Sequence, residues 1–190
     1  MKALRHAAAL LALAGATEPC LAHGFSGNGW MHPLTGVDHM LAMVAVGLWS
    51  AQLGGRALFV VPLAFVAAMA VGSVAGGQQW QVPAVESIVA MSVLVLGGAI
   101  ALASRTAWPV ACAAALLFGL AHGYVHGAEM PLSADKLGYA AGFLLTTAGL
   151  HVAGAVTGLL VLEQPAGRNW LRSGGTLVAA AGAMLLQSAQ

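Results

Sequence analysis

Residues 108–129 read WPVACAAALLFGLAHGYVHGAE. The twenty residues from Trp108 to Gly127 contain no Asp, Glu, Lys or Arg. That is the length and apolarity a helix needs to cross the hydrocarbon core of a bilayer, about 30 Å thick. Backbone groups cannot stay unpaired in lipid, so the stretch must be helical. Yet it carries His122 and His126 and runs out at Glu129. Residues four and three apart lie on one helical face. The pattern H-x-x-x-H-x-x-E therefore makes a stripe of two imidazoles and a carboxylate, and an i,i+4 histidine pair can chelate one ion.

The rest of the chain has the same character. Of its 190 residues, 59% are hydrophobic and 7% charged, with a mean hydropathy of +0.85. A soluble domain carries about a quarter charged residues. Six apolar stretches follow the N-terminal region: Pro33 to Ala51, Ala57 to Ala75, Val85 to Ala103, Trp108 to Gly127, Leu137 to Leu162 and Trp170 to Leu186. The fold expected is an all-α polytopic membrane bundle with six transmembrane helices. Short connections hold Gly54-Gly55, Gln78-Gln79, Pro131 and Pro165, all turn or breaker residues. Several glycine pairs, such as Gly72 and Gly76 or Gly119 and Gly123, have the spacing that lets helix backbones approach closely. Packing within the bundle explains them more economically than a dimer face, and homo-oligomerisation stays open.

Residues 1–22 read as a signal peptide. Lys2 and Arg5 form a positive start, Ala7 to Ala16 is too short to span, and Cys20-Leu21-Ala22 places small residues for cleavage after Ala22. The mature domain would be 23–190, with Cys112 as its one thiol, so neither an intramolecular disulfide nor a cysteine metal cluster is possible. A secreted start places loops one, three and five on the cytoplasmic side. Those loops hold Arg56, Arg105 and Arg168, while the outer segments hold only Lys136. This agrees with the positive-inside rule and puts both mature termini in the periplasm of a bacterial inner-membrane protein. Trp30, Trp49, Trp80, Trp108 and Trp170 lie near span ends and read as interface anchors. A net charge of +1 speaks against nucleic acid as a partner, and neither Lys2 nor Lys136 sits in a Walker-type phosphate loop.

Ionisable side chains inside spans cost roughly 2.5–3.5 kcal/mol each for a central Asp, Lys or Arg and so need a reason. Here they cluster: His32, Asp38 and His39 in span one, Glu86 in span three, His122, His126 and Glu129 at span four, His151 in span five. His39 lies seven residues beyond His32, about 10 Å deeper on a regular helix. The two cannot easily share an ion unless the helix start is irregular. Asp38 points about 100° away from His39. It can ligate, or it can hold a neighbouring histidine in its metal-binding tautomer. Span one runs inward and span four outward. If they are neighbours, His39 faces His122 at one depth and His32 meets Glu129 near the surface.

His32-Pro33-Leu34-Thr35-Gly36-Val37-Asp38-His39-Met40-Leu41-Ala42-Met43 resembles the H-P-x-x-G-x-D-H-x-L-A-M signature of the HupE/UreJ family. Ala121-His122-Gly123-Tyr124-Val125-His126-Gly127-Ala128-Glu129 resembles its second motif, F-H-G-x-A-H-G-x-E, with Ala121 for the Phe and Val125 for the Ala. Glu86 and His151 also fall where that family carries such groups. The resemblance spans the mature chain. It implies a nickel permease that supplies hydrogenase or urease, and metal-handling roles for His32, Asp38, His39, Glu86, His122, His126, Glu129 and His151.

The function expected is secondary, non-ATPase transport of a divalent transition-metal ion from periplasm to cytoplasm, not enzyme catalysis. Imidazole suits Ni2+, Co2+, Zn2+ and Cu2+ alike, so Ni2+, with Co2+ second, rests on the resemblance. Cleavage after Ala22 would also make His23 the first residue, whose amine and imidazole can chelate together near the entrance. Ligand histidines must be unprotonated. Uptake into proteoliposomes should therefore fall between about pH 7.5 and 5.5, and a flat profile would count against histidine ligation. The bland readings stand beside these. His151 is as well explained by a packing hydrogen bond, Glu86 and Glu129 by the interface, and Met43 by packing. Three rivals remain: a b-type haem between His39 and His122, a metal-binding accessory or sensor protein without transport, and an intramembrane hydrolase. For the last, Ser92 has no partner that the sequence assigns.

Overall fold

The computed structural model of the chain describes residues 29–79 and 81–189. The expected signal peptide, His23 and Trp80 lie outside them. Seven helices run through the described residues. They are α1 (His32–Thr35), α2 (Val37–Leu53), α3 (Ala57–Gly77), α4 (Val85–Ala101), α5 (Trp108–Ala128), α6 (Lys136–Leu162) and α7 (Gly167–Ser188). Each of the six apolar stretches is thus mostly helical, the first broken at Gly36 and the third ending at Ala101. Three of the helices, α3, α5 and α6, are long and apolar enough to cross a membrane by themselves. Helices α2 and α4 are shorter, with 17 residues each. The 22-residue α7 opens on Arg168, Asn169 and Arg172 and is less apolar.

Side chains too apolar for water cover the outside, among them Phe59, Leu63, Val71, Val74, Leu117, Val152, Leu160 and Met184. Phe59 is 73% exposed and Leu63 67%. An all-helical bundle that turns such residues outward is built for lipid, not for a water-facing surface.

Three close helix pairs make the bundle, each seamed by glycine. On α3 and α5, a Cβ added at Gly72, Gly76, Gly119, Gly123 or Gly127 would run into a backbone carbonyl of the opposing helix. On α2 and α6 the same holds at Gly47 and Gly154, and on α4 and α7 a Cβ at Gly97, Gly175 or Gly182 would run first into a backbone nitrogen of the opposing helix. Small residues let these backbones touch, as in other membrane bundles. The glycine spacing therefore serves packing inside the bundle, as expected. Helix α2 packs against α3, α4 and α6 and buries nine of its residues. That central position removes Trp49 from the interface role expected of it: the indole is 4% exposed, in the core beside Val46 and Ile100. Trp30, Trp108 and Trp170 are exposed.

The two ends of the bundle differ in charge. At one end the Arg56 guanidinium lies over the Trp108 ring at 5.2 Å, and Arg172 Nε donates to Ala101 O at 3.0 Å. At the other end His32, Glu86 and Glu129 meet. The arginines are thus segregated from the histidine cluster by the length of the helices.

Candidate metal centre

The chain enters the bundle through a broken helix. Pro33 fits the first turn of α1, where its missing N–H costs nothing. Gly36 then takes an extended conformation, φ −83° and ψ 113°, and α2 starts afresh at Val37. The irregular start brings His32 back toward His39, with ring centroids 6.3 Å apart. Glycine also leaves these side chains uncrowded. A Cβ at residue 36 would sit 3.2 Å from Asp38 Oδ1 and 3.3 Å from His39 Nδ1.

Asp38 is hydrogen-bonded to its chain neighbour His39. Its Oδ1 lies 2.9 Å from His39 Nδ1 and accepts the His39 amide at 2.8 Å. A carboxylate only accepts, so it fixes the His39 proton on Nδ1 and leaves Nε2 with a bare lone pair. That Nε2 is buried and has no hydrogen-bond partner. It faces the stripe on α5: the His39 ring centroid is 4.8 Å from that of His122 and 4.7 Å from that of His126. His122 and His126 are fully buried, and His122 Nδ1 and both nitrogens of His126 also lack hydrogen-bond partners. His126 stacks on Phe143 of α6 at 5.0 Å and 3°. Leaving a polar atom buried and unpaired costs about 1–3 kcal/mol. Several such atoms in one place need a reason beyond packing.

Near the end of the bundle His32 Nε2 lies 2.8 Å from Glu129 Oε2. Together with Thr35, Gly36, Asp38, His39, Glu86 and Val125 these two line a cavity of about 280 Å³. Its carboxylates come from three elements: Asp38 from α2, Glu86 from the first turn of α4, and Glu129 just past α5. A cleft lined by one sign of charge concentrates the opposite ion. Seven of the expected site residues are therefore gathered in one place. His151 lies apart. It is 2% exposed with both nitrogens unpartnered, on the far side of Phe65, whose ring is 5.4 Å from His122 and 5.1 Å from His151. The loss of a simple packing hydrogen bond as an explanation for His151 follows from those free nitrogens.

Four residues near the cluster were not singled out as functional by the sequence. Phe65 and Phe143 flank it, and each reads as an ordinary core residue. Tyr139 sits 6.1 Å from His32. Ser92 of α4 has a partner after all, His122 Nε2 at 2.9 Å. A serine within the apolar run Ile88 to Ala101 is a signal, though it does not name its partner. Deeper in the core, Thr147 Oγ1 donates toward Met43 Sδ at 3.3 Å, with Met69 Sδ at 3.5 Å. Among the described residues no group of three or more His, Cys, Asp or Glu forms a ready-made cage for an ion. A haem between His39 and His122 is equally ill served. The two rings already meet edge to face at 76°, with no gap for a porphyrin plane.

The model of the HupE/UreJ proteins matches residues 3–185. The chain belongs to the HupE/UreJ family. It is 43% identical over 182 residues to the protein HupE of Rhizobium leguminosarum bv. viciae, covering 92% of this chain and 94% of that one. No solved structure matches the chain. Family membership places it among permease and accessory proteins, and its long apolar helices fit a membrane protein. The two motifs that carry the likeness are the ones that meet here: the first supplies His32, Asp38 and His39, the second His122, His126 and Glu129.

Proposed function

We propose that this HupE/UreJ protein is a secondary permease. It carries a divalent transition-metal ion, Ni2+ first and Co2+ second, from periplasm to cytoplasm for metalloenzyme maturation. In this reading α1 and α2 together, and α3 to α7, are six spans of the inner membrane after a cleaved signal peptide. Both mature termini are periplasmic. The arginine-bearing end is then cytoplasmic, as the positive-inside rule requires.

The observation that carries the reading is the buried cluster of His39, His122 and His126, with unpartnered nitrogens beneath a cavity bearing three carboxylates. The carboxylates of Asp38, Glu86 and Glu129 draw a cation in and balance its charge. His32 stands at the entrance. Neutral imidazole nitrogens at His39, His126 and His122 replace part of the hydration shell, and His151 offers the next donors beyond Phe65. A path must bind strongly enough to admit an ion and weakly enough to release it. Donors that touch in pairs, without a closed cage, suit that need better than a structural site does.

Purified protein in proteoliposomes should take up Ni2+ with saturation, with Co2+ the strongest competitor and Mn2+ the weakest. Tight binding without uptake would overturn the permease reading in favour of an accessory or sensor protein.

A further inference from the structure

Helix α4 sends one polar side chain into the imidazole cluster. Ser92 is fully buried, and its Oγ lies 2.6 Å from Val89 O and 2.9 Å from His122 Nε2. A hydroxyl has one hydrogen, and a backbone carbonyl has none. The 2.6 Å contact is therefore made by Ser92 donating to Val89. What Ser92 turns toward His122 is a lone pair, so His122 must donate from Nε2. A neutral imidazole with its proton on Nε2 has a bare lone pair on Nδ1. Nδ1 is the His122 nitrogen that has no hydrogen-bond partner.

We propose that Ser92 is a positioning residue: it locks His122 in the Nε2–H tautomer and so makes Nδ1 the nitrogen offered to a passing transition-metal ion. The proposal deepens the metal-carrying reading above and rests on it. It pairs with the arrangement across the cluster, where Asp38 holds the His39 proton on Nδ1 and leaves Nε2 bare. The two touching rings thus present unlike nitrogens, one locked by a carboxylate and one by a hydroxyl. Hydrogen-bond partners of this kind fix both tautomer and ring orientation in metal sites. The same geometry does not favour a serine hydrolase. A base for Ser92 would have to accept its proton, whereas here the serine proton is spent on a carbonyl and the imidazole is the donor.

The test uses metal-free, full-length protein in detergent with 15N-labelled histidine rings, the His122 signals being those lost in His122→Asn. Ring nitrogen shifts distinguish the two tautomers. Wild type should show His122 protonated on Nε2 and bare on Nδ1, and Ser92→Ala should lose that fixed preference. Added Zn2+, a diamagnetic probe, should shift Nδ1 of His122 in wild type, with an affinity about 10–100-fold weaker in Ser92→Ala. A proton on Nδ1 in wild type, or a tautomer unchanged in Ser92→Ala, would overturn the proposal, as would a Zn2+ shift at Nε2. A locked tautomer with no Zn2+ effect on any histidine would defeat the metal-carrying reading and the ligand assignment with it. The lock itself would stand, so the two failures are distinguishable.

Discussion

His126→Leu should abolish nickel uptake while leaving the protein at least as stable as wild type. His126 is fully buried, stacked on Phe143, and neither ring nitrogen has a hydrogen-bond partner. Leucine has a similar volume and keeps the apolar contact, so little packing is lost. It also removes two buried unpaired polar atoms, each costing about 1–3 kcal/mol. The thermal midpoint in detergent should therefore hold or rise. Transport should respond in the opposite sense. Losing a hydrogen-bond partner behind a metal-binding histidine typically weakens metal binding about 10–100-fold, and losing the imidazole itself should cost at least the upper end of that range. Stability bought at the expense of activity is the mark of a functional residue. Uptake at wild-type rates in this variant would remove His126 from the path. Wild-type uptake with a lowered midpoint would make it a packing residue.

Much of this site could be read from spacing, because helices convert residue counts into geometry. His122, His126 and Glu129 fall on one face of α5 by period alone. The meeting of His39 with His122, and of His32 with Glu129, follows from counting residues inward from two helix ends. The counting works only if the helices are neighbours. Nothing in the apolar pattern of α2 and α5 states that they are, since lipid-facing and core-facing residues are equally apolar here. For the same reason Trp49 looks like an interface anchor: its place near the end of an apolar run is visible, and the centrality of α2 is not. An irregular helix start entered only as the condition on which His32 and His39 could share an ion; the break at Gly36 itself did not follow from the sequence. Ser92 shows the limit most clearly. A hydroxyl set within the apolar run Ile88 to Ala101 announces a hydrogen bond, but His122 is thirty residues away along the chain. The glycines fall between. Their spacing marks a seam without naming the helix on its other side.

Gly123→Ala and Gly98→Ala are the same substitution on paper and should move stability in opposite directions. At Gly123 a Cβ would collide with the Met69 carbonyl and Cα of α3. Backbone cannot rotate out of the way as the end of a side chain can, so α3 and α5 must separate. Overpacking of this kind costs about 1–3 kcal/mol. In a chain of this size that lowers the thermal midpoint by roughly 2–4 °C per kcal/mol. At Gly98, within α4, a Cβ meets nothing within 4 Å. There only helix propensity changes, which favours alanine by about 1 kcal/mol, and the midpoint should rise by a few degrees. The collision also reaches the site, because Gly123 lies between His122 and His126 on α5 and faces the helix that carries Phe65. Gly123→Ala should accordingly reduce nickel uptake even at temperatures where the protein stays folded, whereas Gly98→Ala should leave it unchanged. Thermal unfolding of both variants in one detergent, followed by uptake below the lower midpoint, checks the pair. Equal midpoints would mean that α3 and α5 do not touch at this seam, and the placement of His122 beside Phe65 would fall with it.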